Sequence, residues 1–120
     1  MEPIERLYKK DEIITRSLHI DEDLYLKIQY LCSEIYDASV SKLINVCVET
    51  MLQDTTKIKY YKKPYKTESI YRSVLFRKDF YDKLIIIKNE TGISFSRLVN
   101  GSIKQFLDKY NGKQFLIKIL

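Results

Sequence analysis

The sequence has few of the residues that break a folded chain or cross-link it. Of its 120 residues only three are Gly, two Pro and two Cys, and Trp is absent. With 45% hydrophobic and 31% charged residues, this composition excludes a mainly disordered chain. Cys32 and Cys47 lie on apolar faces of helical patterns, which favours buried thiols over a disulfide or metal ligands. Two Cys and one His cannot supply a closed four-ligand zinc site, so no metal or cofactor is expected.

Long apolar runs are also missing. No stretch of about 18 apolar residues occurs, which excludes a membrane-spanning helix of ordinary length. Glu2, Glu5 and Arg6 stand where a signal peptide would carry its apolar segment. The sequence therefore predicts an intracellular protein without a membrane partner, located in the cytoplasm, or in the host cytoplasm if the chain is viral.

Recognisable catalytic motifs are lacking as well. There is no phosphate-binding glycine loop, no dinucleotide fingerprint and no metal-ligand spacing. His19 is the single histidine, and no motif places a nucleophile or carboxylate beside it. We therefore expect no catalytic residues, no enzymatic activity and no small-molecule substrate.

Positive charge is concentrated in one part of the chain. The net charge is +5 and the pI is about 9.1. Between Lys57 and Lys83 there are nine basic residues and three acidic ones. This distribution favours a polyanionic partner such as nucleic acid, although a solvated basic surface is the ordinary alternative.

An internal repeat dominates the sequence. Arg16–Leu52 aligns with Arg72–Leu107 once one residue of slack is allowed between Ile35 and Ala38. Eleven of 36 aligned positions are identical, far more than unrelated segments share, so duplication is the simplest explanation. The identical pairs are Arg16/Arg72, Ser17/Ser73, Asp23/Asp79, Tyr25/Tyr81, Lys27/Lys83, Glu34/Glu90, Ser39/Ser94, Ser41/Ser96, Leu43/Leu98, Asn45/Asn100 and Leu52/Leu107.

Each copy begins with a short strand. Apolar side chains alternate over residues 14–20 and 71–76, so one face of each strand is apolar and the other is mixed. The inward face is predicted to hold Leu18, Ile20, Val74 and Phe76.

Two helices follow each strand. Helical spacing of apolar residues predicts a first helix, and Asp21 is a suitable N-cap for it in the first copy. A turn then ends this helix in each copy, with Gly92 suited to a left-handed position. Ser39 and Ser94 are the expected N-caps of the second helices.

The order strand, helix, turn, helix, with a Ser-x-Ser-basic-Leu start to the second helix, resembles the ribbon-helix-helix superfamily that contains the Arc, MetJ and CopG repressors. The resemblance covers about two thirds of the chain. It implies a mainly α fold with a short β ribbon. A single strand cannot stand alone, so the two copies are expected to pair as a pseudo-dimer, a two-stranded antiparallel ribbon over four helices. Exchange of strands with a second chain is the alternative.

The resemblance also sets the expected boundaries within one compact domain. The halves are divided by a linker that interleaves cations with aromatic residues, and the tail is apolar. The segments are an N-terminal arm (1–13), motif 1 (14–53), the basic linker (54–69), motif 2 (70–108) and the C-terminal tail (109–120).

Double-stranded DNA is the partner that the resemblance implies, because a two-stranded ribbon fits the major groove. The strand face opposite the apolar one is then expected to contact bases. Because its two halves differ, the target site is expected to be asymmetric. The expected base-contacting residues are Thr15, Ser17, His19, Tyr71, Ser73 and Leu75.

Phosphate contacts are expected from the second-helix N-termini, the first arginine of each strand and the linker. For the serines, plain helix capping is the alternative; for the linker, a solvated loop is. In the family an aliphatic residue is commoner at the arginine position. The expected residues are Arg16, Arg72, Ser39, Ser41, Lys42, Ser94, Ser96, Arg97, Lys62 and Lys63.

The resulting hypothesis is a sequence-specific transcription regulator, a repressor in the first instance, of a kind familiar from viruses and plasmids. One alternative is an antitoxin or adaptor that binds a protein through the apolar segment Phe115–Leu120. Another is a plasmid segregation protein that binds a repeated DNA array. Self-association into dimers or larger assemblies on DNA is a further expectation.

Overall fold

The computed structural model of the chain describes residues 12–58 and 68–109. In these residues the fold is mainly α-helical with one two-stranded antiparallel sheet, as the sequence predicts. The elements, in chain order, are β1 (Ile13–Asp21), α1 (Glu22–Leu31), a π-helical turn (Cys32–Tyr36), α2 (Val40–Gln53), β2 (Ser69–Arg77), α3 (Lys78–Thr91) and α4 (Phe95–Lys109).

The sheet is a ribbon formed within the chain by β1 and β2. Ser17 lies opposite Ser73 at its centre, and Ile13 opposite Arg77 at one end. The strands are one or two residues longer at each end than the alternation predicts. The predicted inward face is correct, since its four side chains are at most 3% exposed: Leu18, Ile20, Val74 and Phe76.

The helices begin and end largely where the sequence predicts. Ser39 Oγ accepts a hydrogen bond from Lys42 N at 3.2 Å, and Ser94 Oγ accepts one from Arg97 N at 3.2 Å. Gly92 ends α3 with a φ of 76°, the left-handed conformation that glycine adopts without a steric penalty. Both second helices are therefore capped by serine.

The prediction that the Asp21 side chain caps α1 is wrong, although the residue does occupy the N-cap position. Its side chain makes no capping bond and pairs with Arg97 of α4. The Glu22 N–H at this junction donates instead to the Glu68 carbonyl at 2.9 Å. A backbone carbonyl beside the partner strand thus replaces the side-chain cap.

The extra residue of the first copy lies in the π-helical turn. There the Ala38 N–H donates to the Cys32 carbonyl at 3.2 Å, and Asp37 adopts a left-handed φ of 47°. A π turn accommodates one more residue than an α turn, so the insertion widens the end of the first helix. Asp37 consequently occupies the position that Gly92 has in the second copy.

The core lies between the inward face of the ribbon and the helices. Phe76 and Ile20 contribute fully buried side chains from the strands, and Leu84 and Leu98 do so from α3 and α4. Apolar burial of this kind is the main stabilising contribution in a domain of this size. Because all the elements share this one cluster of buried residues, the ribbon is held on the helices as a unit.

Candidate nucleic-acid interface

The outward face of the ribbon carries the row of side chains that the sequence assigns to base contacts. Five of the six are exposed, and the sixth, Ser17, is half-buried. Strand pleating points them away from the helices. The row comprises Thr15, Ser17, His19, Tyr71, Ser73 and Leu75.

The register joins these six residues into three chemically different cross-strand pairs. In the middle, Ser17 Oγ and Ser73 Oγ are hydrogen-bonded at 3.0 Å. At one end His19 lies beside Tyr71, with ring centroids 4.9 Å apart and the rings tilted. At the other end the remaining pair is Thr15 and Leu75, the latter 50% exposed.

Asn45 and Asn100 hold the ribbon on the second helices. The sequence alone indicated no role for them. The Asn100 amide Nδ2 donates to the His19 carbonyl at 2.9 Å, and its Oδ1 accepts from Asp21 N at 2.8 Å. Asn45 bonds the other strand in the same way, at 2.8 Å to the Leu75 carbonyl and 2.9 Å from Arg77 N. The sequence signal for this role was that both copies of the repeat have Asn at this position.

Arg16 and Arg72 turn back onto aromatic rings of the chain. The guanidinium of Arg16 lies 4.1 Å from the centroid of the Phe95 ring and donates to Tyr81 Oη at 2.9 Å. That of Arg72 lies 3.6 Å from the Tyr25 centroid and pairs with Glu22 at 3.0 Å. Such cation–aromatic contacts brace the strands against the helices, and the phosphate role of both arginines stays a prediction.

The second-helix N-termini lie beside the ribbon. Ser41 Oγ accepts a hydrogen bond from Leu75 N at 3.1 Å, so this serine joins α2 to β2. The carbonyl of Ser96 accepts from the Asn100 amide at 2.7 Å in α4. The basic residues that follow these serines differ, because Lys42 is exposed whereas Arg97 pairs with Asp21 at 2.6 Å.

A groove of about 460 Å³ runs between the ribbon and α2. Lys42 and Arg77 line it together with Leu75, and Glu49 lines it as well. Arg77 is a groove residue that sequence reasoning did not single out. The sequence showed only that Arg77 belongs to the basic segment between Lys57 and Lys83. Its place opposite Ile13, beside α2, depends on the strand register.

Several predicted contact regions lie outside residues 12–58 and 68–109. Lys62 and Lys63 of the linker are among them, as is the apolar segment Phe115–Leu120. The linker contacts and the partner-binding role of the tail therefore stay predictions.

Both cysteines lie in the core as free thiols. Burial raises the pKa of Cys47 well above the ordinary value of 9.0, and it raises the pKa of Cys32 in the same direction. Because the thiolate is the form that binds metals and attacks electrophiles, neither residue is activated for such chemistry.

Comparison with protein families, curated proteins and solved structures gives no significant match to this chain. Across residues 12–58 and 68–109, none of the helices is long and apolar enough to cross a bilayer. The same residues hold no cluster of three or more His, Cys, Asp or Glu side chains suited to a metal ion.

Proposed function

We propose that this chain is a sequence-specific double-stranded DNA-binding transcription regulator, acting as a repressor, that places its ribbon in the major groove. The observation that carries the proposal is the outward row of the ribbon. Its exposed hydroxyl, imidazole, phenol and aliphatic groups stand on a two-stranded antiparallel sheet. The major groove of B-DNA admits such a sheet, and these groups match the donors, acceptors and thymine methyls that it presents.

The architecture that we infer with this function is a pseudo-dimer of ribbon-helix-helix type. Corresponding residues of the two halves make corresponding contacts. Ser17 pairs with its own counterpart Ser73, and Asn45 and Asn100 bond opposite strands in one pattern. The first backbone amides of α1 and α3 also make corresponding bonds. Lys78 N donates to the Glu12 carbonyl at 2.9 Å, just as Glu22 N donates to the Glu68 carbonyl. An approximate twofold axis through the central serine pair accounts for all of these contacts.

The N-termini of α2 and α4 flank the ribbon and are its proposed backbone contacts. Free N–H groups and the helix dipole favour a phosphate there. The serines at these positions already cap the helices, so the proposal assigns them phosphate contact in addition to capping.

Selection from random duplex oligonucleotides tests the function directly. The wild-type protein is expected to enrich one sequence and to bind it in a gel-shift assay more tightly than random DNA. Combined replacement of Ser17, His19, Tyr71 and Ser73 by Ala should abolish this preference, because these side chains make the proposed base contacts. Circular dichroism would establish that the variant is folded.

A matched control changes exposed polar and aromatic residues far from the ribbon. Gln29, Tyr30 and Ser33 are exposed on α1 and the π turn, and Tyr30 lies near Leu107 at the far end of α4. Their combined replacement by Ala should leave the binding unchanged. Failure to enrich any sequence would reject the proposal. Protection of a repeated array rather than a single operator would point to a segregation protein.

A further inference from the structure

The two ends of the ribbon carry different charges at corresponding positions. At the start of α1 stand Asp21, Glu22 and Asp23, all carboxylates. Their counterparts at the start of α3, residues 77–79, are two cations and one carboxylate. The approximate symmetry of the backbone therefore does not extend to the electrostatics of the two ends.

Among the described residues at the Asp21 end, Arg97 and Arg72 are held by the protein's own carboxylates. Arg97 Nη2 lies 2.6 Å from Asp21 Oδ2, and the two side chains are only 16% and 8% exposed. Separating a buried ion pair leaves an uncompensated charge, which costs several kcal/mol. Glu22 is likewise held by Arg72, while Asp23 is exposed and would repel a phosphate.

At the Arg77 end the side chains of Arg77 and Lys78 are 42% and 45% exposed, although the Arg77 guanidinium also lies 4.7 Å from the centroid of the Phe80 ring. Arg77 pairs with Asp79 at 3.2 Å and Lys78 with Asp82 at 2.7 Å, and all four side chains are 42–52% exposed. Exposed ion pairs contribute little, so a phosphate can replace either carboxylate at small cost. Lys42 adds an exposed cation in the same groove as Arg77, where Glu49 is the carboxylate that also lines the wall.

We infer that the ribbon binds DNA with a fixed polarity. Phosphates are neutralised at the Arg77 end, by Lys42, Arg77 and Lys78, whereas the Asp21 end contributes base contacts through His19 and Tyr71. This inference rests on the proposed function and deepens it. Its consequence is that the half-site at the Arg77 end supplies most of the salt dependence of binding.

The salt dependence of DNA binding distinguishes the two ends when variants at Lys42 and at Arg97 are compared. The probe is the duplex that the wild-type protein enriches from random oligonucleotides. Lys42→Gln should reduce the slope of log Kobs against log salt by about 0.9, because one phosphate contact is lost. Arg97 is the counterpart of Lys42 in the repeat. The double variant Asp21→Asn with Arg97→Gln removes both charges of the buried pair and should leave the slope unchanged.

The control for net charge is Lys104→Gln, since Lys104 is 68% exposed beside the far ends of α2 and α4. It should leave the slope unchanged. A loss of slope in the Asp21/Arg97 variant equal to that of Lys42→Gln would overturn the polarity, as would an equal loss in the Lys104 variant.

Phosphate ethylation interference with the wild-type protein provides a second test that does not depend on a variant's folding. The expected result is stronger interference on the phosphates of one half-site than on those of the other. Equal interference on both halves would overturn the polarity while leaving the proposed function standing. If no duplex is enriched at all, it is the proposed function that fails.

Discussion

Asn100 of α4 accepts a hydrogen bond from the Asp21 backbone N–H at 2.8 Å, and so ties the last residue of β1 to a helix from the other half of the chain. The same side chain donates to the His19 carbonyl, and it is only 2% exposed. Because a buried amide that loses its partner cannot regain it from water, these bonds fix the position of the strand.

We expect Asn100→Ala to lower the free energy of unfolding by about 1–3 kcal/mol, because it leaves buried backbone groups unpaired. Asn45→Ala should cost less, since Asn45 is only half-buried. Urea denaturation measures both values. The exposed Asn89 supplies a control whose replacement by Ala should have little effect. A larger loss for Asn45 than for Asn100 would contradict the role of burial.

Gly92→Ala tests the left-handed end of α3. No atom lies within 4 Å of an added Cβ, so the change acts through the backbone alone. We expect it to cost about 1 kcal/mol, because a φ of 76° is strained for alanine. Asp37→Gly at the corresponding position should instead stabilise the protein by about 0.5 kcal/mol. Thermal unfolding would detect both shifts, and an unchanged Gly92→Ala protein would rule this explanation out.

The buried thiols should make stability depend on alkaline pH. The pKa of Cys47 is raised in the folded state by burial, so its proton is held more tightly there than in the unfolded chain. The stabilisation is fully present below the unfolded pKa and is lost as the pH rises above about 9. Each such thiol contributes up to about 1.4 kcal/mol per pH unit.

Urea unfolding from pH 8 to pH 10 checks this effect, with Cys47→Ala as the comparison. The variant should lose stability less steeply than the wild type over that range. Thiol titration gives an independent measurement: neither Cys32 nor Cys47 should react with an aromatic disulfide at pH 8 until the protein unfolds. Rapid reaction of one thiol in the native protein would show that its burial is incomplete.

Pairing of β1 with β2 inside one chain predicts unimolecular unfolding. The denaturation midpoint should therefore be independent of protein concentration, whereas strand exchange between two chains makes it rise with concentration. Sedimentation equilibrium without DNA should give the mass of one chain, 14.3 kDa. A concentration-dependent midpoint would favour the exchanged dimer.

Leu75 is expected to contact a thymine methyl at the Thr15–Leu75 end of the ribbon. Replacing the contacted thymine by deoxyuridine in the selected duplex should weaken wild-type binding by about 0.8 kcal/mol, the value for one buried methyl-sized group. The Leu75→Ala protein should bind the two duplexes equally. A double-mutant cycle measures this coupling. Equal sensitivity of both proteins at every thymine would show that Leu75 lies elsewhere.

Much of the fold was predictable because the repeat supplied each signal twice. The alternation of apolar residues gave the inward strand face, and Ser39 and Ser94 gave the starts of the second helices. The extra residue near Asp37 was visible as a gap in the alignment, but its π turn was not, because backbone geometry at an insertion depends on what the helix packs against.

The candidate site was predictable only in part. The alternation of apolar residues in each strand identified the outward residues of that strand, but it did not show which residues are paired across the ribbon. That His19 packs at a tilt against Tyr71 follows from the register, which long-range packing decides. The partners of Arg16 and Asp21 were likewise hidden, since they lie on elements distant in the sequence.

The sequence by itself determined the strands and the α-helices, because capping, alternation and helical periodicity are local properties that neighbouring residues set. Only the tertiary structure decided which cations are free and which are held. Lys42 and Arg97 occupy corresponding places in the repeat, but a buried carboxylate lies against the second alone. Coulomb interactions depend on distance and burial rather than on sequence spacing, and so two counterpart cations of the repeat differ in their accessibility.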